Sequence, residues 1–330
     1  MRNRSNGFSV VELTVALALT LTVVGAVAAI VNPARSAFAA QSEAVDVQQR
    51  LRVGVEALTR ELIAAGAGSP VGGQPGPLYD VIPPLMPFRR GASRSDPPET
   101  FKTDTITVVS VPATAAQTTL AADLAPGATT LTLMPTAGCP DRINLCGFAP
   151  GMTVLVYDPG GAFDIFVVDA VDDGASQVAV ASVESAFTYS SGAAVVEARV
   201  HTYSLKEDAA SRSSQLMQAD GGATSDVPLL DHVAGLTFDY RGASAAPIAA
   251  SELADGPWLP DATAASRWDV DLRRVRSVGV TLRVEAALAA MRGPAGTLFR
   301  NAGVATSVRA WVPDQEIRFV ISPRNMVESR

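Results

Sequence analysis

The chain has 330 residues, with 26 Lys and Arg against 33 Asp and Glu and a formal net charge of -7. That length is ample for a buried core. The 48% apolar content excludes a disordered polar chain. The acidic balance, with no concentrated basic patch, argues against nucleic-acid binding, which needs cations to neutralise phosphates. Two His and two Cys cannot assemble an ordinary His-rich or Cys-rich metal centre, so no metal ligand and no cofactor site is expected.

The chain opens on a short polar leader, residues 1–7, carrying Arg2 and Arg4. Phe8 to Val31 follows with one charge, Glu12. Leu13–Val31 alone makes about 28 Å of helix at ~1.5 Å per residue, close to a hydrocarbon core of ~30 Å. Residues 8–31 are therefore read as a transmembrane helix. Arg2 and Arg4 favour a cytoplasmic N-terminus and an exported remainder. Ala37-Phe38-Ala39 supplies an A-x-A pattern, so a cleaved secretory signal is an alternative. Against it stand the length of the apolar run and the charge near its start.

Gly7-Phe8 followed by Ser9-Val10-Val11-Glu12-Leu13 resembles the class III leader junction of type IV prepilins and type II secretion pseudopilins. That resemblance implies cleavage between Gly7 and Phe8 by a membrane-bound prepilin peptidase and N-methylation of Phe8. It also implies an assembly role for Glu12, whose carboxylate would pair with the Phe8 amine of a neighbouring subunit. Such a group inside lipid usually has a partner or is neutral. Glu12 merely snorkelling to the interface is the plainer alternative.

Asn32-Pro33 should bend or loosen the helix, since proline removes a donor and crowds the preceding turn. Residues 32–66 then read as an amphipathic exported half, with Leu51, Val55, Leu58 and Leu62 in one apolar stripe. Gly66, Gly68 and Pro70 end it. The stripe needs a sheet to cover it; a coiled-coil dimer is the alternative, against which stands the lack of sustained heptads. The wording around Gln48 to Gly68 resembles the helix end of large minor pilins of the PilW group and of J-type pseudopilins.

Beyond residue 70 the pattern is β-like, and antiparallel sheet is expected. Pro75 to Pro98 reads as a loop, and residues 67–115 hold it together with the first strands of the head. Candidate strands are 105–111, 129–134, 153–157, 163–171, 177–183, 194–203, 235–240, 276–285 and 316–322. Residues 116–200 look like an inserted small β-rich domain, and 201–330 the C-terminal part of the head. The run Val233 to Tyr240 resembles the "V-x-x-L-x-F-x-Y" strand of PilW and J-type chains. The fold class expected is therefore α+β and pilin-like, with a long N-terminal helix on an antiparallel sheet.

Cys139 and Cys146 can form a local disulfide in an exported, oxidising compartment; free thiols are the alternative, and the spacing is not the C-x-x-C of a redox pair. Asp158 to Asp164 and Asp169 to Gly174 are acidic loops, but neither has the twelve-residue calcium-loop pattern, and Asp and Gly are ordinary turn formers. His201, His232, Trp258, Trp268 and Trp311 fall in no catalytic motif. No catalytic residue and no enzyme activity are expected. The resemblance implies a minor pilin that primes or joins a type IV pilus tip. Its partners would be prepilin peptidase, other major and minor pilins or pseudopilins, and an inner-membrane assembly platform. A J-type pseudopilin of a type II secretion tip is one alternative, and a membrane-anchored extracytoplasmic protein that never polymerises is another.

Overall fold

The computed structural model describes residues 9–69, 76–89, 102–113, 116–181, 187–208, 213–221, 226–244, 246–253 and 270–326. The chain divides into two compact units, one formed by Met1–Gln49 with Glu285–Asp314, the other by Arg50–Val284 with Gln315–Arg330. One helix, α1 (Val10–Ala64), begins in the first and ends in the second. It runs as a single element through Asn32-Pro33.

In the second unit the last turns of α1 bury one side. Arg50, Gly54, Leu58, Leu62 and Ala65 follow helical spacing and are buried, whereas Leu51 and Val55 are half-buried beside them. The buried stripe is thus centred one residue off the purely apolar reading, because a glycine lies on its midline. The helix stops at Gly66, whose φ of 75° is left-handed, a conformation that costs a residue with a Cβ. The Gly66 amide donates to Val109 O at 3.1 Å, and Val111 N donates to Ala67 O at 2.8 Å, so the helix end is tied directly to the sheet.

That sheet has seven antiparallel strands: β1 (Leu85–Pro87), β2 (Ile106–Ser110), β9 (Arg199–Asp208), β10 (Ser213–Asp220), β11 (Val227–Arg241), β12 (Ser277–Val284) and β13 (Gln315–Ile321), in that order. On β12, Val278, Val280, Leu282 and Val284 alternate inward and pair with Tyr240, Phe238, Leu236 and Val233 of β11. Four features differ from the sequence expectation. The expected strand 194–203 divides at Ala198, its later residues belonging to β9 and its first four to a second sheet. β1 lies inside the Pro-rich stretch read as a loop; at a sheet edge Pro87 loses no ladder bond that matters. β10 has weak alternation, so periodicity alone does not mark it as a strand. β11 starts eight residues before Gly235, because a bulge at Asp231-His232, with His232 at φ 53°, breaks its period.

A second sheet of six antiparallel strands is made by β3 (Gln117–Thr119), β4 (Thr130–Thr132), β5 (Thr153–Tyr157), β6 (Phe163–Asp172), β7 (Gln177–Val180) and β8 (Ala194–Glu197), in the order β3-β8-β5-β6-β7-β4. β5, β8 and the first half of β6 bury side chains on both faces, and the period of two sorts these into two cores. Val154, Val156, Phe166, Val168 and Val195 enter one with Leu131, Leu133 and Tyr189. Leu155, Tyr157, Phe163, Ile165 and Val196 enter the other with Leu78, Ile82, Met86, Val109 and Val111. The second core joins the second sheet to β1, β2 and the turn at Leu78–Asp80.

The C-terminal part of the first unit, Glu285–Asp314, has two short 3-10 turns, Ala289–Met291 and Val308–Ala310, and otherwise irregular backbone. An ion pair closes it from within: Arg292 Nη1 lies 2.7 Å from Glu285 Oε1, both side chains buried, and Asn301 donates to Glu285 Oε2 at 2.9 Å. Phe299 and Trp311 meet edge to face at 5.4 Å. Ala287 N donates to Glu43 Oε1 of α1 at 2.5 Å, which fastens the block to the helix.

Candidate assembly surface of the N-terminal helix

The first turn of α1 is closed by its own side chains. Ser9 precedes the helix, and its Oγ accepts from Glu12 N at 3.1 Å, while Glu12 Oε2 accepts from Ser9 N at 2.9 Å. These reciprocal bonds are a capping box, and they satisfy two donors that a helix start would otherwise leave open. The spacing Ser9-x-x-Glu12 was readable in the sequence as that motif. The carboxylate on which the resemblance places assembly is thus also held by its own chain one turn from the helix end. Gly7 and Phe8, the expected cleavage and methylation positions, lie outside the described residues.

Val10–Val31 is long and apolar enough to cross a membrane, and none of it is buried within the chain. Its three threonines hide their hydroxyls: Thr14 donates to Val11 O at 2.9 Å, Thr20 to Ala16 O and Thr22 to Ala18 O, both at 2.8 Å. With those groups paired inside the helix, the stretch presents lipid or neighbouring helices with little but aliphatic surface. Arg35 and Phe38 are both exposed just beyond it.

In the second unit, His201 Nδ1 on β9 lies 2.8 Å from Glu61 Oε2 on α1, and its Nε2 lies 3.2 Å from Asp220 Oδ1 on β10. In the sequence His201 lies in an expected strand, with no acidic neighbour marked as its partner. Nothing local could have paired it with a glutamate 140 positions away. With Thr153 and Arg199, His201 and Asp220 line an open cleft. Burial pushes the Tyr203 hydroxyl up, and the charges of Glu61 and Asp220 push the same way. His232 sits apart, at the β11 bulge, with Ser213 Oγ 3.2 Å from its Nδ1.

No protein-family model matches the chain, and no curated protein does. A solved type IV-like pilin from Thermus thermophilus is similar at 14% identity, over 54% of this chain and 87% of that one, with a TM-score of 0.19. So slight a likeness adds no weight of its own. The α+β plan rests on the long helix and the antiparallel sheet that its last turns cover.

Cys139 and Cys146 are disulfide-bonded, with Cα atoms 5.5 Å apart. The loop they close is fastened to the β6–β7 turn by Asp173, whose Oδ1 accepts from Asn144 N at 2.8 Å and Leu145 N at 2.7 Å. Asp158 and Asp172 likewise accept from the amides of Ala162 and Ala175. These carboxylates close turns. Trp311 fills the small core of the first unit; Trp258 and Trp268 lie outside the described residues.

Proposed function

We propose that this protein is a minor pilin, cleaved between Gly7 and Phe8 by prepilin peptidase, N-methylated on Phe8, and built into or priming the tip of a type IV pilus. One observation carries the reading. The bare apolar stretch Val10–Val31 and the sheet-covering turns up to Ala64 belong to one unbroken helix. A helix of that kind can leave the bilayer for a bundle of like helices without losing apolar contact, while its far half stays rooted in a folded head. Glu12 is the one ionic side chain of the span. It would accept the Phe8 amine of an adjacent subunit, since a charge in a low-dielectric bundle is stabilised by an opposite one.

The disulfide supports an exported head, and the basic leader supports an N-terminus left in the cytoplasm. Ala37-Phe38-Ala39 lies within α1, which supports the leader peptidase reading over a secretory signal cut there. The chain does no catalysis in this scheme; the chemistry done on it is the peptidase's. Mass spectrometry of the mature N-terminus is the test. A methylated Phe8 start is expected, and a start at Ala40 would overturn the reading. Deletion that abolishes exoprotein secretion and spares pili would move the chain to the type II machine.

A further inference from the structure

We propose that the block Glu285–Asp314 is a second membrane contact, an apolar and cationic surface that rests on anionic phospholipid headgroups beside the point where α1 leaves the bilayer. The inference rests on Val10–Val31 spanning the membrane and is independent of whether the chain polymerises. Four aliphatic side chains of the block stand in solvent: Leu288 (53% exposed), Leu298 (50%), Val304 (71%) and Val308 (69%). Val304 N donates to Ala289 O at 2.8 Å, which sets Val304 beside the turn that carries Leu288, and apolar surface of this kind is suited to a covering partner.

The charges select which partner. Glu285 and Arg292 neutralise each other inside the block, and Asp314 accepts from the Arg300 amide at 2.7 Å. The exposed ionic side chains that remain are Arg300 and Arg309. Aliphatic residues interleaved with arginines fit an anionic lipid interface, where the apolar groups enter the acyl boundary and the guanidinium groups meet phosphate.

The position within the first unit brings that surface within reach. Ala287 is bonded to Glu43, which lies twelve residues past Val31, or about 18 Å along the helix. Headgroups occupy the first ~5–7 Å of that distance. A block of thirty residues has a radius of gyration of about 8 Å, and a helix tilt of about 20° closes more of the gap. Between Val31 and Glu43 the helix exposes Arg35 and Phe38, side chains suited to the interface itself.

The test uses the full chain in vesicles of phosphatidylethanolamine and phosphatidylglycerol, with single cysteines introduced by Val304→Cys, Val308→Cys, Val24→Cys or Ala121→Cys. The native cysteines are bonded to each other, so a fluorophore takes only the new thiol. Lipids carrying a headgroup-depth nitroxide should quench the labels at 304 and 308 well above the exposed control at 121, and lipids carrying a nitroxide deep on the acyl chain should quench the label at 24. Arg300→Gln with Arg309→Gln, or replacement of the anionic lipid by phosphatidylcholine, should lower that quenching by about half. Labels at 304 and 308 that match the control while the label at 24 is quenched would overturn the lipid surface alone. An unquenched label at 24 would overturn the span and the surface together. Shielding of 304 and 308 that rises with protein density and ignores the lipid would show that a second copy covers the block, which also overturns it.

Discussion

Gly54 of α1 faces Leu282 of β12 so closely that a Cβ on the glycine would stand 2.7 Å from Leu282 Cδ2, and 3.0 Å from Leu230 Cδ2 on β11. The helix lies on the sheet at that distance because the residue facing the sheet there carries no side chain. Both obstructing atoms are the ends of leucine side chains, which can turn aside. Gly54→Ala should therefore change stability little, the helix gaining about 1 kcal/mol of propensity against local overpacking. Gly54→Leu has no room and should cost about 1–3 kcal/mol. Urea denaturation of the purified chain in detergent measures both. Leu58→Asp, one turn on and wholly buried, should leave the head unfolded and protease-sensitive.

The capping box separates two roles of Glu12. Ser9→Ala removes one of the two reciprocal bonds and keeps the charge, Glu12→Gln keeps both bonds and removes the charge, and Glu12→Val removes the other bond together with the charge. If charge pairing governs assembly, Ser9→Ala should enter sheared pili almost as well as wild type. Glu12→Gln should be intermediate, and Glu12→Val should stay in the membrane. Equal incorporation of Glu12→Val and wild type, normalised to membrane levels, would refute the pairing.

Replacing Cys139 and Cys146 by Ser should cost about 2–3 kcal/mol, the chain-entropy value for so short a loop. The loss belongs to the second sheet, since Asp173 joins the loop to the β6–β7 turn. Hydrogen exchange should accelerate in β6 and β7 and stay unchanged in β12. Acceleration spread evenly over both sheets would contradict a local staple.

The buried Glu285–Arg292 pair holds the small block together. Arg292→Ala strands a carboxylate in the interior and should cost about 3–5 kcal/mol, whereas replacing both by apolar residues of similar volume should cost far less. A thermal shift for the single variant no larger than for the double one would show that the pair contributes little.

Alkaline pH should weaken the fold through its tyrosines. Burial pushes the Tyr157 hydroxyl up to about 12, and burial likewise raises Tyr203 and Tyr240. An unfolded tyrosine ionises near ~10, so above that pH the unfolded chain releases protons that the native chain retains. The stabilisation is complete below pH ~10 and is lost as pH rises towards the folded values. Chemical denaturation across that range, with phenolate absorbance in parallel, tests the order: unfolding and ionisation should coincide.

Much of this chain was decided locally and could be read in one dimension. The apolar run to Val31, the Ser9-x-x-Glu12 cap, the helix end at Gly66 and most strands of both sheets depend on neighbours within a few residues, where periodicity and turn chemistry act. Leu58 and Leu62 were visible as core for the same reason. Tertiary structure decided what periodicity cannot carry. Gly54 is central to the helix–sheet contact because of what faces it across the sheet, and a glycine contributes nothing to an apolar stripe. His201 meets Glu61 only because β9 runs beneath the end of α1. β1 and the bulged start of β11 are strands by virtue of the partners that bond them, against their own composition. Sheet pairing is settled between residues far apart in sequence, so alternation could propose strands and no local rule could order them as β1-β2-β9-β10-β11-β12-β13.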